Sequence, residues 1–129
     1  MSIKFFIGPM SKNVVDSVIE YNEENNMVAG FIPSRRQVAM DGGYVNNWST
    51  STFRKYVKNA FVVRDHGGSG QGLVDDDGIA SLIEDCKYLD ILHIDPWKVF
   101  PRYKEGLSKT VDLIKMCHEQ NTNILFEVG

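Results

Sequence analysis

FVVRDHGGSGQG, residues 61–72, is the stretch on which the reading of this chain turns. It begins as an apolar β-branched run and switches abruptly to charge at Arg64, Asp65 and His66. It then dissolves into Gly67, Gly68, Gly70 and Gly72. A buried strand that delivers reactive side chains to a glycine loop is how α/β enzymes build sites: the strand is rigid and the loop at its carboxyl end is free to vary.

Working outward, the flanking sequence supplies more strands of the same kind with helices between them. Upstream, IKFFI (3–7) reads as a first strand closed by Gly8-Pro9. Ser11 reads as the N-cap of a helix over about 12–25, with Val14, Val15, Val18 and Ile19 on one face. A second strand over roughly 27–32 ends at Pro33. The loop AMDGGYVNNWS (39–49) then leads to Ser49 or Thr50 as the next N-cap, before a helix carrying Phe53, Tyr56 and Val57. The quoted stretch opens with the third strand, over about 60–65. Downstream, Asp75, Asp76 and Asp77 precede a helix with Ile79, Leu82, Ile83 and Cys86 at helical spacing, and are expected to cap it and complement its dipole. LDILHID (89–95) is a fourth strand, a helix follows near 104–120, and NILFEV (123–128) is a fifth strand.

The order βαβαβαβαβ, in a single domain over residues 1–129, implies an α/β fold with a parallel sheet and right-handed crossovers. Strands start roughly 30 residues apart, close to the ~31 per unit of a (β/α)₈ barrel. One architecture is therefore the N-terminal half of such a barrel. The other is an open, five-stranded doubly wound sheet, which suits ~130 residues. Length favours the open sheet, whereas the long loops after the second, third and fourth strands favour the barrel, whose sites lie at those ends. A fifth strand that reaches the last residue with no covering helix reads as the front of something longer.

Composition narrows the function classes. The chain has 129 residues, 43% hydrophobic and 24% charged, with a net charge of −3 and a pI near 5.5. That balance argues against general binding to nucleic acid or to anionic membrane. No apolar run approaches the ~20 residues that span a bilayer. The apolar part of MSIKFFIGPMSK is too short for a secretory signal, so the cytoplasm is the expected location. Cys86 and Cys117 both fall within helical patterns and read as core thiols rather than a disulfide.

Asp65 and His66 lead the candidate chemistry. His66 suits a divalent-metal ligand or general base, and Asp65 a general acid or orienting carboxylate. The plainer reading is a loop histidine beside a turn-capping acid. One histidine does not make a zinc site, which takes three or four protein ligands. LHIDPWK (92–98) adds His93, Asp95 and Lys98. Period-two alternation puts His93 and Asp95 on one face, and adjacent third and fourth strands would bring them to Asp65 and His66. Lys98 suits a phosphate or, if desolvated, a Schiff base, against an ordinary surface lysine. Ser34, Arg35, Arg36 and Gln37 follow the second strand and offer anion-binding donors. Glu127 ends the fifth strand, where a catalytic carboxylate or a simple salt bridge fits. GGSGQG matches neither the dinucleotide fingerprint nor the P-loop, leaving a backbone phosphate cradle and a flexible lid as equal readings. Gly42-Gly43-Tyr44 and Trp48 either shape a sugar pocket or fold their own loop.

Several of these pieces, in this order, resemble the class II tagatose-bisphosphate aldolase family, particularly its accessory, non-catalytic subunit. The matching segments are Ser34 through Val38, Gly42-Gly43-Tyr44, Phe53-Arg54 with Tyr56-Val57, Asp65-His66 before the glycine loop, Leu92-His93-Ile94-Asp95, and Glu127-Val128-Gly129. Arg35-Arg36 and Pro96-Trp97-Lys98 depart from the family pattern. The resemblance spans about residues 28–129 and implies a (β/α)₈ barrel of which this chain is the first half. It also implies a divalent metal, zinc, that polarises the carbonyl of a ketose phosphate and stabilises the enediolate. The resemblance makes Asp65 the proton donor and His66 the first metal ligand, with the family's other metal histidines on later strands; from position alone, His93 is a further candidate metal ligand and Asp95 and Glu127 are candidate catalytic carboxylates. Ser34, Arg35, Arg36, Gln37 and Lys98 would hold a phosphorylated sugar or related carbohydrate. The rival readings are an accessory subunit that stabilises a partner aldolase without turnover, and a flavodoxin-like binding or regulatory domain. Two exposed sheet edges in a half barrel imply an oligomer or a longer polypeptide.

Overall fold

The structure is a computed structural model that describes residues 5–26 and 28–129. The expected strand residues Ile3, Lys4 and Met27 lie outside the described residues. Among the described residues, nine elements alternate: β1 (Phe6–Ile7), α1 (Lys12–Asn25), β2 (Gly30–Phe31), α2 (Thr50–Val57), β3 (Val63–Gly67), α3 (Ile79–Tyr88), β4 (Ile91–Ile94), α4 (Tyr103–Gln120) and β5 (Leu125–Val128). All pairings are parallel, β1 with β2 and β3 with β4 with β5. Isolated parallel bridges Phe31–Val62 and Ser34–Asp65 link the two groups, with Phe31 N–H donating to Phe61 O at 2.8 Å and Asp65 N–H to Pro33 O at 3.0 Å. The strands therefore lie side by side in chain order as an open parallel sheet, as alternating βα units require.

Local signals explain most boundaries. Ser11 Oγ accepts from Val14 N–H and Ser49 Oγ from Thr52 N–H, so the caps begin α1 and α2 where the sequence places them. The acidic run before α3 meets the capping expectation in part, with Asp76 Oδ1 also accepting from Gly78 N–H. The residue preceding this helix is Gly78, which has no side-chain cap, while Asp77 Oδ1 accepts from Ile79 N–H and Asp76 is turned towards Arg35. Gly78 is required by close approach: a Cβ there would come within 2.3 Å of the Gly68 backbone, and its φ is +74°. β3 begins at Val63 rather than residue 60 and runs through Asp65 and His66 to Gly67.

The helices line up in chain order against the sheet. Asp16 of α1 accepts from Tyr56 of α2, and α2 packs on α3 and α3 on α4. Leu92 and Ile94 of β4 are fully buried among Val62, Leu82, Leu113 and Cys117. Trp48 packs its ring on Phe53 and Tyr56 at 5.5 and 4.8 Å between centroids, so it folds its own loop into the core. Both cysteines are free and buried, as expected of core thiols.

An ion pair sits inside this core. Arg64 on β3 and Asp85 on α3 are both fully buried and form a two-bond ion pair at 2.8 Å. Arg64 also donates to Pro33 O at 3.1 Å and Val38 O at 2.6 Å, tying the β2 loop to the same point. Breaking one partner of a buried pair leaves an uncompensated charge. Asp85→Ala is therefore expected to lower unfolding stability by about 3–5 kcal/mol in urea titrations. The double variant R64M/D85L should recover only part of that loss, because the carbonyls of Pro33 and Val38 lose their donor.

Candidate functional site

Strand geometry sorts the polar residues of 61–72. Arg64 points into the helix layer, so period-two alternation sends Asp65 to the opposite face. Strict alternation would return His66 to the helix side, but a register shift interrupts the ladder between Arg64 and Gly67. His66 also adopts a left-handed φ of +49°. That conformation, which costs a non-glycine residue roughly 1–2 kcal/mol, brings the imidazole to the face carrying Asp65.

β4 and β5 complete that face. Val63 pairs with Ile91 and Ile91 with Leu125, forming an apolar floor. One step towards the carboxyl ends, His93 pairs with Glu127 in register, so the two side chains leave the sheet on the same side. The His66 and His93 rings lie 4.6 Å apart between centroids. His66 Nδ1 is 2.5 Å from Asp95 Oδ2, and Nε2 is 3.4 Å from Asp65 Oδ1. Asp65, His66 and His93 each offer one ligand atom, and these atoms all lie within 4.8 Å of one another. The two strand ends expected to converge do converge, and Glu127 joins them at the same level.

The remaining candidates are more occupied than the sequence implies. Arg35 is buried and holds Asp76 through two bonds, at 2.9 and 2.6 Å, while donating to Gly68 O at 3.0 Å. It therefore fastens the glycine loop. Ser34 and Gln37 bond each other, Ser34 N–H donating to Gln37 Oε1 and Gln37 N–H to Ser34 Oγ. Arg36 is exposed. Lys98 donates to Gly70 O at 2.6 Å. Sequence reasoning missed Gln71, whose amide lies 3.3 Å from Asp95 Oδ2. It also missed the constraint at Gly129, where a Cβ would come within 2.9 Å of His93 Nε2. The Gly129 carbonyl accepts from Trp97 Nε1 at 3.1 Å. A glutamine inside a glycine-rich loop carries no motif, so no pattern signals it.

Among the ties on the loop over the site described above, the one between two charged side chains is Arg35 to Asp76. The Arg35 guanidinium holds the Asp76 carboxyl below the usual carboxylate range. A depressed value means the tie is complete above that range and is lost as pH falls through the depressed value. Asp76 is about a third exposed, so its contribution is about 1 kcal/mol. Asp76→Asn should therefore speed amide exchange across residues 67–77 by roughly fivefold at neutral pH. The wild-type loop should show the same loosening only in acid.

No protein-family model matches the chain, and a comparison with curated proteins returns no match. Among solved structures the fold is similar to the crystal structure of a probable tagatose 6 phosphate kinase from Sinorhizobium meliloti 1021. The TM-score is 0.77 at 16% identity, covering 100% of this chain and 39% of that one. The likeness establishes the α/β fold, and the chain spans about two fifths of that neighbour's length.

Proposed function

We propose that this chain forms the N-terminal portion of a (β/α)₈ barrel whose mouth holds a divalent metal, zinc, and that it acts as a class II aldolase-like lyase on a phosphorylated sugar. The observation that carries the proposal is the Asp65–His66–His93 cluster, with its ligand atoms all within 4.8 Å of one another at the ends of adjacent strands. The barrel is supported by strands that run in chain order, without the reversal that defines a doubly wound sheet. The free edges of β1 and β5 would pair with further βα units or with another copy. An apolar groove lined by Phe5, Ile7, Val14 and Val18 flanks the first edge, and exposed Leu107, Val111 and Leu125 flank the other. The name of the structural neighbour supports a phosphorylated sugar as the substrate class.

The donors fit the ion. If His66 gives its Nδ1–H to Asp95, His66 Nε2 and Asp65 Oδ1 would be two acceptors 3.4 Å apart, a repulsive contact that a cation would relieve. Two imidazoles and one carboxylate form a three-ligand set that leaves a position open, as catalytic zinc sites do. A divalent ion held there by Asp65, His66 and His93 would supply Lewis-acid polarisation of a sugar carbonyl. Asp65 then serves as the third ligand, and Glu127, on the same face as His93 and exposed, is the carboxylate left to move a proton at the substrate carbon. Arg36 and Lys98 would hold the phosphate, with Arg35, Ser34 and Gln37 shaping the loop behind them.

The chain is expected to take up one zinc or cobalt ion, read by elemental analysis with native mass spectrometry, and to release an aldehyde fragment from a phosphorylated ketose. His66→Asn accepts the left-handed backbone and should lower metal affinity by more than the roughly 10–100-fold typical of losing an outer-shell partner. Glu127→Gln should keep the metal and lose cleavage. Stoichiometric metal without cleavage would point to the accessory role, and a chain that binds no divalent ion overturns the metal reading.

A further inference from the structure

We propose that Asp95 is a positioning residue: it holds His66 with the proton on Nδ1, so that Nε2 alone faces Asp65 and His93 as the lone-pair donor. The proposal rests on the metal reading above and assigns Asp95 a role different from proton transfer to substrate. Both of its oxygens are taken. Oδ2 meets His66 Nδ1 at 2.5 Å and Gln71 Nε2 at 3.3 Å, while Oδ1 accepts from Trp97 N–H at 3.1 Å. Its side chain is 14% exposed, which leaves little surface from which to reach a substrate.

The backbone around Asp95 is also fixed. Asp95 N–H donates to Gly67 O at 2.8 Å, and a Cβ on Gly68 would come within 2.7 Å of Asp95 O. Pro96 follows it and confines the chain's direction. The carboxylate is therefore anchored by its own strand, by its own turn and by the neighbouring loop. His66, in contrast, sits in a left-handed conformation at 50% side-chain exposure, with the ring bond to Asp95 as its strongest tether. A rigid carboxylate bonded to one nitrogen of an exposed imidazole sets both the tautomer and the direction of the other nitrogen. Gln71 reaches the same oxygen from the glycine loop, so loop closure and imidazole orientation meet at a single atom.

The test reads His66 directly. Nitrogen-15 spectra of the metal-free protein at pH 8 should show His66 protonated on Nδ1 and bare on Nε2. Asp95→Asn should give mixed or reversed tautomers with the amide fingerprint of the fold retained, and Asp95→Glu should restore part of the wild-type signal. Titrated with cobalt, Asp95→Asn should bind 10–100-fold more weakly than wild type, with Asp95→Glu between them. A wild-type His66 protonated on Nε2, or an unchanged tautomer and cobalt affinity within twofold in Asp95→Asn, would overturn the proposal. If the wild-type chain binds no cobalt, the metal reading fails, and the tautomer measurement alone still decides what Asp95 does.

Discussion

The buried pair between Arg64 and Asp85 is the constraint on which the rest of the structure depends. A guanidinium with no solvent exposure has to be bonded at every face, and Arg64 meets that demand through Asp85 on α3 and the carbonyls of Pro33 and Val38. These contacts fix β3 against the helix layer on one side and against the β2 loop at its end. A slip of one residue would carry Arg64 to the opposite face and strand Asp85. Because β3 cannot slip, Asp65 is committed to the face away from the helices. Arg64, which precedes Asp65 and His66 in the sequence, thus holds that strand end in place.

The turn at His66 follows from that anchoring. With Arg64 pinned below and the Gly67 carbonyl bonded to Asp95 N–H above, one residue between them must absorb the change of direction. His66 takes a left-handed φ, and the ladder shifts register at the same point. β-Bulges beside active sites re-aim side chains in this way. Here the re-aimed group is an imidazole, and it lands between Asp95 and the His93 ring. Strain persists where surrounding contacts over-determine it, and the contacts of Arg64, Gly67 and Asp95 do so.

The fold was legible because its signals are local and repeated. Ser11 and Ser49 cap the helices they appeared to cap, and the apolar runs around Val62, Leu92 and Leu125 became neighbouring parallel strands. His93 and Asp95 could be placed on one face by period alone, and their approach to Asp65 and His66 followed from strand adjacency. What could not be read depends on partners distant in sequence. Arg35 looked like a donor for substrate because nothing nearby in the chain neutralises it, and its actual partner, Asp76, lies 41 residues away. Asp76 in turn looked like a helix cap for want of any sign of Arg35. Glu127 could be placed at a strand end but not beside His93, since that requires the β4–β5 register. The direction of Arg64 was open as well, because alternation tells which residues share a face but not which face is covered.

The same division explains how the site is built. β3, β4 and β5 each contribute one residue to the floor and one to the mouth, so the arrangement of Val63, Ile91 and Leu125 beneath Asp65, His93 and Glu127 is a property of the sheet. What distinguishes this mouth comes from the loops. Arg35 fastens the glycine loop from the β2 side, Lys98 fastens it from the β4 side at Gly70, and Gln71 brings its amide to Asp95. A glycine-rich segment has high conformational entropy and would not hold one shape unaided. Three ties from two neighbouring loops give it one, and two of them use cations that would otherwise be free to meet an anion. Any anion drawn to this mouth must therefore compete with the loop's own carboxylate and carbonyl for Arg35 and Lys98.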